Sequence, residues 1–510
     1  MSRSGLRRLM TTKQMEIYTS YLAKYQQVST LGTIHKNTIS LFIRTVCKSD
    51  SLLFSTIYYI INLGDIMDNN YTKINADKIS CFIINDEDGS DQAISFLKNK
   101  DSFRPFKDGL KELFRMKNID IDLSDNEVMA DFLYSKLKDI KANVEKETVI
   151  SWFSGTHRPK VEAGSRLKMY EICFALNLNE TETTWFFQHI YYDRAFNCHT
   201  IDEAVFYFAF SNGLTYQKSL NIIKKINEAD APAATNYEGN YTLFVKNQIN
   251  SMKTAGELTT FLISNKENFK SWNKSAGNML KSLAAEITIP ESAKKKTDEL
   301  KRNISRFLSA PSDKTSCKKN NFSGKIHPED YTDCGLIVRE IIYDSMHNSY
   351  DTISQCEYIK DVMNNRNFMK NASILRYLIT TSVGAGKDTS IPYIVRNNFP
   401  SKKTMSDILS EDKLSTSKSY DSIRKLIILL DFYRFWVNAK LNSETEYYKT
   451  LDEDKLTEIY IEEANNCLYD CGYEDLYAGN PYDWIFLCSA HANDPLDFFR
   501  SCFSELLPEE

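Results

Sequence analysis

The chain has 510 residues, 42% hydrophobic and 26% charged, with a formal net charge of −5. That length allows several cores, and the acidic balance excludes a protein whose whole surface is a sleeve for nucleic acid. Sparse Gly (17) and Pro (11) beside long periodic runs favour helices over a sandwich or a dinucleotide-binding sheet, so the expected fold is all-α and multi-domain.

Residues 1–66 read as an N-terminal helical extension, with Arg3, Arg7 and Arg8 ahead of a helix around Met15 to Tyr25. The charge-free run Ser51 to Gly64 is shorter than the roughly 20 apolar residues a membrane crossing needs, so a buried helix is expected and no membrane contact. Met67 is an alternative start, which leaves open whether the leader belongs with the core. The eleven cysteines are scattered and no secretory pattern precedes them, which points to reduced thiols in a cytoplasm.

Residues 67–230 read as a helical domain that contains a helix-turn-helix. Ile79 to Ile84 fits a short strand or a helix segment, and Asn85 to Asp91 is an acidic turn that caps a helix. Ser124 with Glu127 has the spacing of a capping box, followed by an apolar face of Met129, Phe132, Leu133, Leu137 and Ile140. After the turn Ala142-Asn143-Val144, a short helix runs from Lys146 to Ser154 and stops at Gly155. Val149, Trp152 and Phe153 form its inner face, and Lys146, Thr148 and Ser151 point outward. Met169, Ile172, Cys173 and Leu176 repeat the pattern in the next helix, and Asn179 with Glu182 caps a third.

A short helix anchored by a hydrophobic triangle can offer small polar and basic side chains to a major groove. Lys146, Thr148 and Ser151 have the size and chemistry to reach base edges. Arg158, Lys160 and Arg166 would grip phosphates, and Lys141 and Asn143 at the turn complete the DNA-binding set. The Thr-Val-Ile-Ser-Trp helix, the Gly then Arg-Pro turn and the Leu-Asn-Leu-Asn-Glu-Thr-Glu close resemble the Cro/C1-type (XRE-like) helix-turn-helix regulators, over about residues 124–185. The resemblance implies that Lys146, Thr148 and Ser151 lie on the recognition helix. The usual Gln at the start of the second helix is not evident, and Glu145 and Glu147 bracket the recognition helix.

Further on, Glu203 to Phe210 is too apolar to face water, and Asn212-Gly213 stops it. Residues 236–310 form a helical middle region with a basic strip at Lys294, Lys295 and Lys296, and 311–330 reads as a linker. Residues 331–510 read as a C-terminal helical domain. Within it, Thr381 to Asp388 fails as a phosphate loop because Thr and Asp stand where Gly and Ser or Thr belong. Pro400 to Trp436 has a second helix-turn-helix-like pattern, but its last helix is apolar nearly all round and reads as core. Cys467, Cys471, Cys488 and His491 have donor types that suit zinc, although each also falls on an apolar helix face.

No catalytic signature and no cofactor motif is present. The expected function is sequence-specific binding of double-stranded DNA by a transcriptional regulator. Such a protein acts as a homodimer, with the C-terminal domain dimerising, sensing or holding a protein partner. The alternatives are a helical protein-interaction scaffold with a vestigial helix-turn-helix, and a zinc-containing enzyme.

Overall fold

The computed structural model describes residues 89–99, 102–155, 159, 163–230, 232–233, 240–271, 274–288, 291–309, 327–347, 408 and 420–506, all within the unit Tyr71–Glu510. The 1–66 extension, the Ile79 to Ile84 run, most of the 311–330 linker, the 381–388 loop and nearly all of 400–419 lie outside them. The described residues form helices and their connections, with no strand among them. No helix among them is long and apolar enough to cross a membrane.

Two buried cores divide these helices. The first is built from α2 (Phe106–Met116), α3 (Asn126–Asp139), α4 (Lys146–Ser154), α5 (Ala163–Ala175), α6 (Glu180–Phe186), α7 (Ile201–Asn212), α8 (Tyr216–Glu228), α9 (Tyr241–Ser251) and α10 (Ala255–Ser264). The second gathers α11 (Lys274–Ile287), α12 (Lys294–Ser309), α13 (Leu336–His347), α14 (Tyr420–Leu441), α15 (Glu446–Lys449), α16 (Glu453–Asp470), α17 (Pro481–Ala490) and α18 (Pro495–Leu506). Residues 236–310 are therefore shared: Val245, Ile249, Leu258 and Leu262 enter the first core, and Leu280, Leu283, Ile287 and Leu300 the second. The first described helix, α1 (Gly89–Lys98), also joins the second core, where Phe96 meets Trp484 at 4.8 Å between ring centroids.

Local chemistry explains where the helices start and stop. Asn179 and Glu182 form the predicted capping box, and Asn480 caps α17 with Pro481 in its first turn. At α3 the outcome differs from the sequence reading. Asp125, not Ser124, is the cap, accepting from the backbone N–H groups of Glu127 and Val128. Ser124 turns back to Asp122 instead, donating from both its N–H and its hydroxyl. An ionised carboxylate one residue nearer the helix is the stronger acceptor, so it takes the site.

α14 is the centre of the second core. From Leu426 to Val437 only Arg434 is not buried. A fully buried large apolar side chain contributes roughly 1.5–3 kcal/mol, so presenting this helix to DNA would forfeit most of the core. The described part of the second helix-turn-helix-like pattern, Tyr420 to Trp436, is packing.

Candidate nucleic-acid interface

The α4 helix is short, and its position comes from three side chains. Val149, Trp152 and Phe153 are buried. Trp152 meets Phe106 of α2 edge-on at 5.7 Å, and Phe153 lies 6.0 Å from Phe114, which in turn contacts Phe132 of α3 at 5.5 Å. α4 is thus pinned against two neighbouring helices by aromatic contacts, which have directional preferences beyond area alone. The preceding turn is pinned as well. Lys141 sits at φ 58°, Ala142 N–H closes on the Leu137 carbonyl at 2.9 Å, and Asn143 N–H donates to Glu171 Oε1 at 3.3 Å. Glu171 also accepts from the Tyr216 hydroxyl at 2.8 Å, tying the turn to α5 and α8.

Gly155 ends α4 at φ 74°, and a Cβ built there would meet nothing within 4 Å. The left-handed conformation alone therefore sets the cost of a side chain. Gly155→Ala is expected to lose about 1 kcal/mol of stability in urea unfolding, with no change in the buried triangle.

The outward face of α4 carries Lys146, Glu147, Ile150 and Ser154, all exposed, with Thr148 and Ser151 half-buried. The Ser151 hydroxyl donates to the Thr148 carbonyl at 2.6 Å, so its proton is committed to the backbone. Lys146 lies 2.8 Å from Asp131 and 6.0 Å from the Tyr134 ring centroid. The hydrogen bond to Asp131 raises the lysine's proton affinity, keeping it charged but occupied. Lys141 and Asn143 are exposed at the turn. Arg158 and Lys160 lie outside the described residues, although Pro159 between them is buried.

Arg166 departs from its expected role as a phosphate contact. Its residue exposure is 4%. The guanidinium donates to Glu203 Oε1 at 2.6 Å, to the Asp193 carboxylate, and to the Arg194 and Ala195 carbonyls at 2.7 and 3.0 Å. Burial opposes its charge, but Glu203 and Asp193 outweigh that and hold the proton more tightly than usual. No phosphate reaches it, so Arg166 is a structural ion.

Around Arg166 a larger set of charges marks the seam between the two cores. A π turn, Phe187–Tyr191, leads into Tyr192 at φ 64°, whose carbonyl accepts from Asn480 at 3.2 Å. Arg194 donates to the Tyr420 hydroxyl at 3.0 Å and to the Gly472 carbonyl at 3.1 Å. His199 stacks on Tyr420 with 4.0 Å between centroids. Arg424 makes a two-pronged pair with Asp483, both bonds at 2.7 Å. Burial together with Asp193 pushes the Asp421 carboxyl up to about 7, against the pull of Arg166 and Lys425.

The residues with metal-donor chemistry do not converge. Cys488 is buried on α17, and His491 Nδ1 lies 2.8 Å from the Leu487 carbonyl. Cys467 and Cys471 share the end of α16. Among the described residues no group of three or more His, Cys, Asp or Glu side chains is placed to hold a metal ion. No protein-family model, no curated protein and no solved structure matches this chain.

Proposed function

We propose that the chain binds double-stranded DNA through the outward face of α4 and acts as a transcriptional regulator. The observation that carries this reading is α4 itself. It is a nine-residue helix fixed by Val149, Trp152 and Phe153, and its opposite face is exposed to solvent along Lys146, Glu147, Ile150 and Ser154. A short helix pinned by its buried side, with its other face uncovered, can enter a major groove without rearrangement. One such module reads a half-site, so the functional species in this reading is a homodimer on a two-fold symmetric target.

Fluorescence anisotropy with a labelled duplex tests it. About three phosphate contacts imply an affinity loss of roughly 40-fold between about 50 and about 200 mM salt. Lys146→Ala with Thr148→Ala should weaken binding further, by about 10-fold, because two side chains that reach base edges are removed. Absence of binding at the lower salt would overturn the reading.

A protein-docking role is the second reading, favoured by one observation. Val128, Ile150 and Leu167, on α3, α4 and α5, are exposed by 39, 43 and 42%. Large apolar side chains left in water on adjacent helices suit a protein partner better than a phosphate backbone. A chain that ignores duplex DNA at low salt leaves this reading in possession of the face.

A further inference from the structure

The DNA reading has an electrostatic difficulty, and the fold supplies an answer to it. From Asn126 to Ser154 the chain carries four lysines against five carboxylates, a net charge of −1. Two of the four lysines are engaged: Lys146 with Asp131 at 2.8 Å, and Lys136 with Asp139 at 3.8 Å. With Arg166 buried, α3 and α4 by themselves give little attraction for a polyanion.

α8 changes that balance. Its first turn is held against the α3–α4 turn by the Gln217 side chain, which donates to the Ile140 carbonyl at 3.1 Å across 77 residues of sequence. The shared carboxylate of Glu171 reinforces the contact, accepting from Asn143 N–H on one side and Tyr216 on the other. Lys141 and Lys218 are the immediate chain neighbours of the two residues in that contact, and both are exposed. Lys138 is exposed as well, standing 5.4 Å from the Tyr134 ring centroid. None of these three lysines has an ion pair among the described residues, and α8 adds three lysines against a single glutamate.

We infer that Lys138, Lys141 and Lys218 form a basic collar at the N-terminal end of α4 that takes the phosphodiester backbone of the bound duplex, with α8 as the second DNA-contacting helix. The inference rests on the DNA reading and replaces Arg166 as the source of phosphate contacts. Glu145 and Glu147 flank the same end, which explains why the grip must come from a neighbouring helix and not from α4's own first turn. The backbone contacts then set the position of α4 in the groove, leaving Thr148 and Ser151 for the bases.

The test compares salt slopes of duplex binding by the full chain and two variants. Lys218→Ala with Lys141→Asn (asparagine tolerates the positive φ at 141) should reduce the slope of log affinity against log salt by about 2, one for each phosphate that is no longer neutralised. Because these lysines meet the backbone and not the bases, the reduction should be the same for every duplex sequence. Lys294→Ala with Lys295→Ala, on the exposed face of α12 in the second core, should leave the slope unchanged. A full slope in the collar variant, with binding still weakened by the α4 substitutions, overturns the collar and leaves the DNA reading standing. An equal reduction in the α12 control also overturns it, since attraction would then be a property of total charge. If the unaltered chain ignores duplex DNA, the collar falls together with that reading.

Discussion

Arg166→Ala is expected to destabilise the fold by about 3–5 kcal/mol, the cost of stranding buried carboxylates without their counter-ion. Glu203 and Asp193 both point at the guanidinium, and their side chains are only 8 and 15% exposed. Burial pushes the Glu203 carboxyl up, but Arg166 and His199 together pull it below the usual carboxylate range. A depressed folded value contributes stability that is present above the unfolded value and lost as pH falls toward the folded one. The variant should therefore lose most at neutral pH and differ least in acid. Urea unfolding at pH 7 measures the effect. Adding Glu203→Gln to Arg166→Ala should restore part of the loss by removing one stranded charge. A variant that unfolds normally but has lost DNA affinity would return Arg166 to the role of phosphate contact.

Asp421→Asn should act in the opposite direction. The Asp421 carboxyl is pushed up to about 7 by burial and by Asp193, against an ordinary value near 3.8. The folded chain thus holds a proton through that window which the unfolded chain has released, and stability from this group falls as pH rises from about 4 to about 7. The full shift corresponds to about 4 kcal/mol, and the solvent reaching this half-buried side chain reduces it to something on the order of 2 kcal/mol. Asparagine removes the titration. The variant should therefore be more stable than the parent at pH 8 and nearly equal to it at pH 4, where the parent's folded carboxyl is already neutral. Melting curves across that range decide it, and parallel pH profiles for the two proteins would contradict the assignment.

How much of this is legible in the sequence depends on the distance over which each feature is determined. α4 is readable to its ends because a three-residue triangle and a glycine stop lie within ten residues, where helical periodicity operates. The same holds for the capping box at Asn179 and for the buried character of α14. The cap of α3 slips by one residue because Ser124 and Asp125 compete for the same N–H groups, and which one wins is settled by charge and geometry, not by motif.

Arg166 escapes the sequence for a different reason. Its partners are 27 and 37 residues away, and a lone arginine in the first turn of an amphipathic helix carries no mark of which carboxylates it will meet. The seam around Tyr420, Arg194 and His199 is invisible for the same reason, as is the approach of Gln217 to Ile140. At Cys467, Cys471, Cys488 and His491 one helical pattern serves both a metal site and an apolar face, so spacing by itself does not separate the two.

The seating of α1 has a consequence for how the protein is made. Phe96 and Phe103 come early in the chain, yet their ring partners include Trp484 and a Tyr192 whose carbonyl is held by Asn480. At synthesis rates of roughly 5–20 residues per second, α1 leaves the ribosome roughly 20–80 s before Trp484 exists. During that interval its greasy side has no native resting place, so the nascent chain presents a standing target for chaperones and for neighbours on the same message. Closure of so long a loop is expected to slow completion of the second core, because α1 meets Trp484 only after α17 has been made.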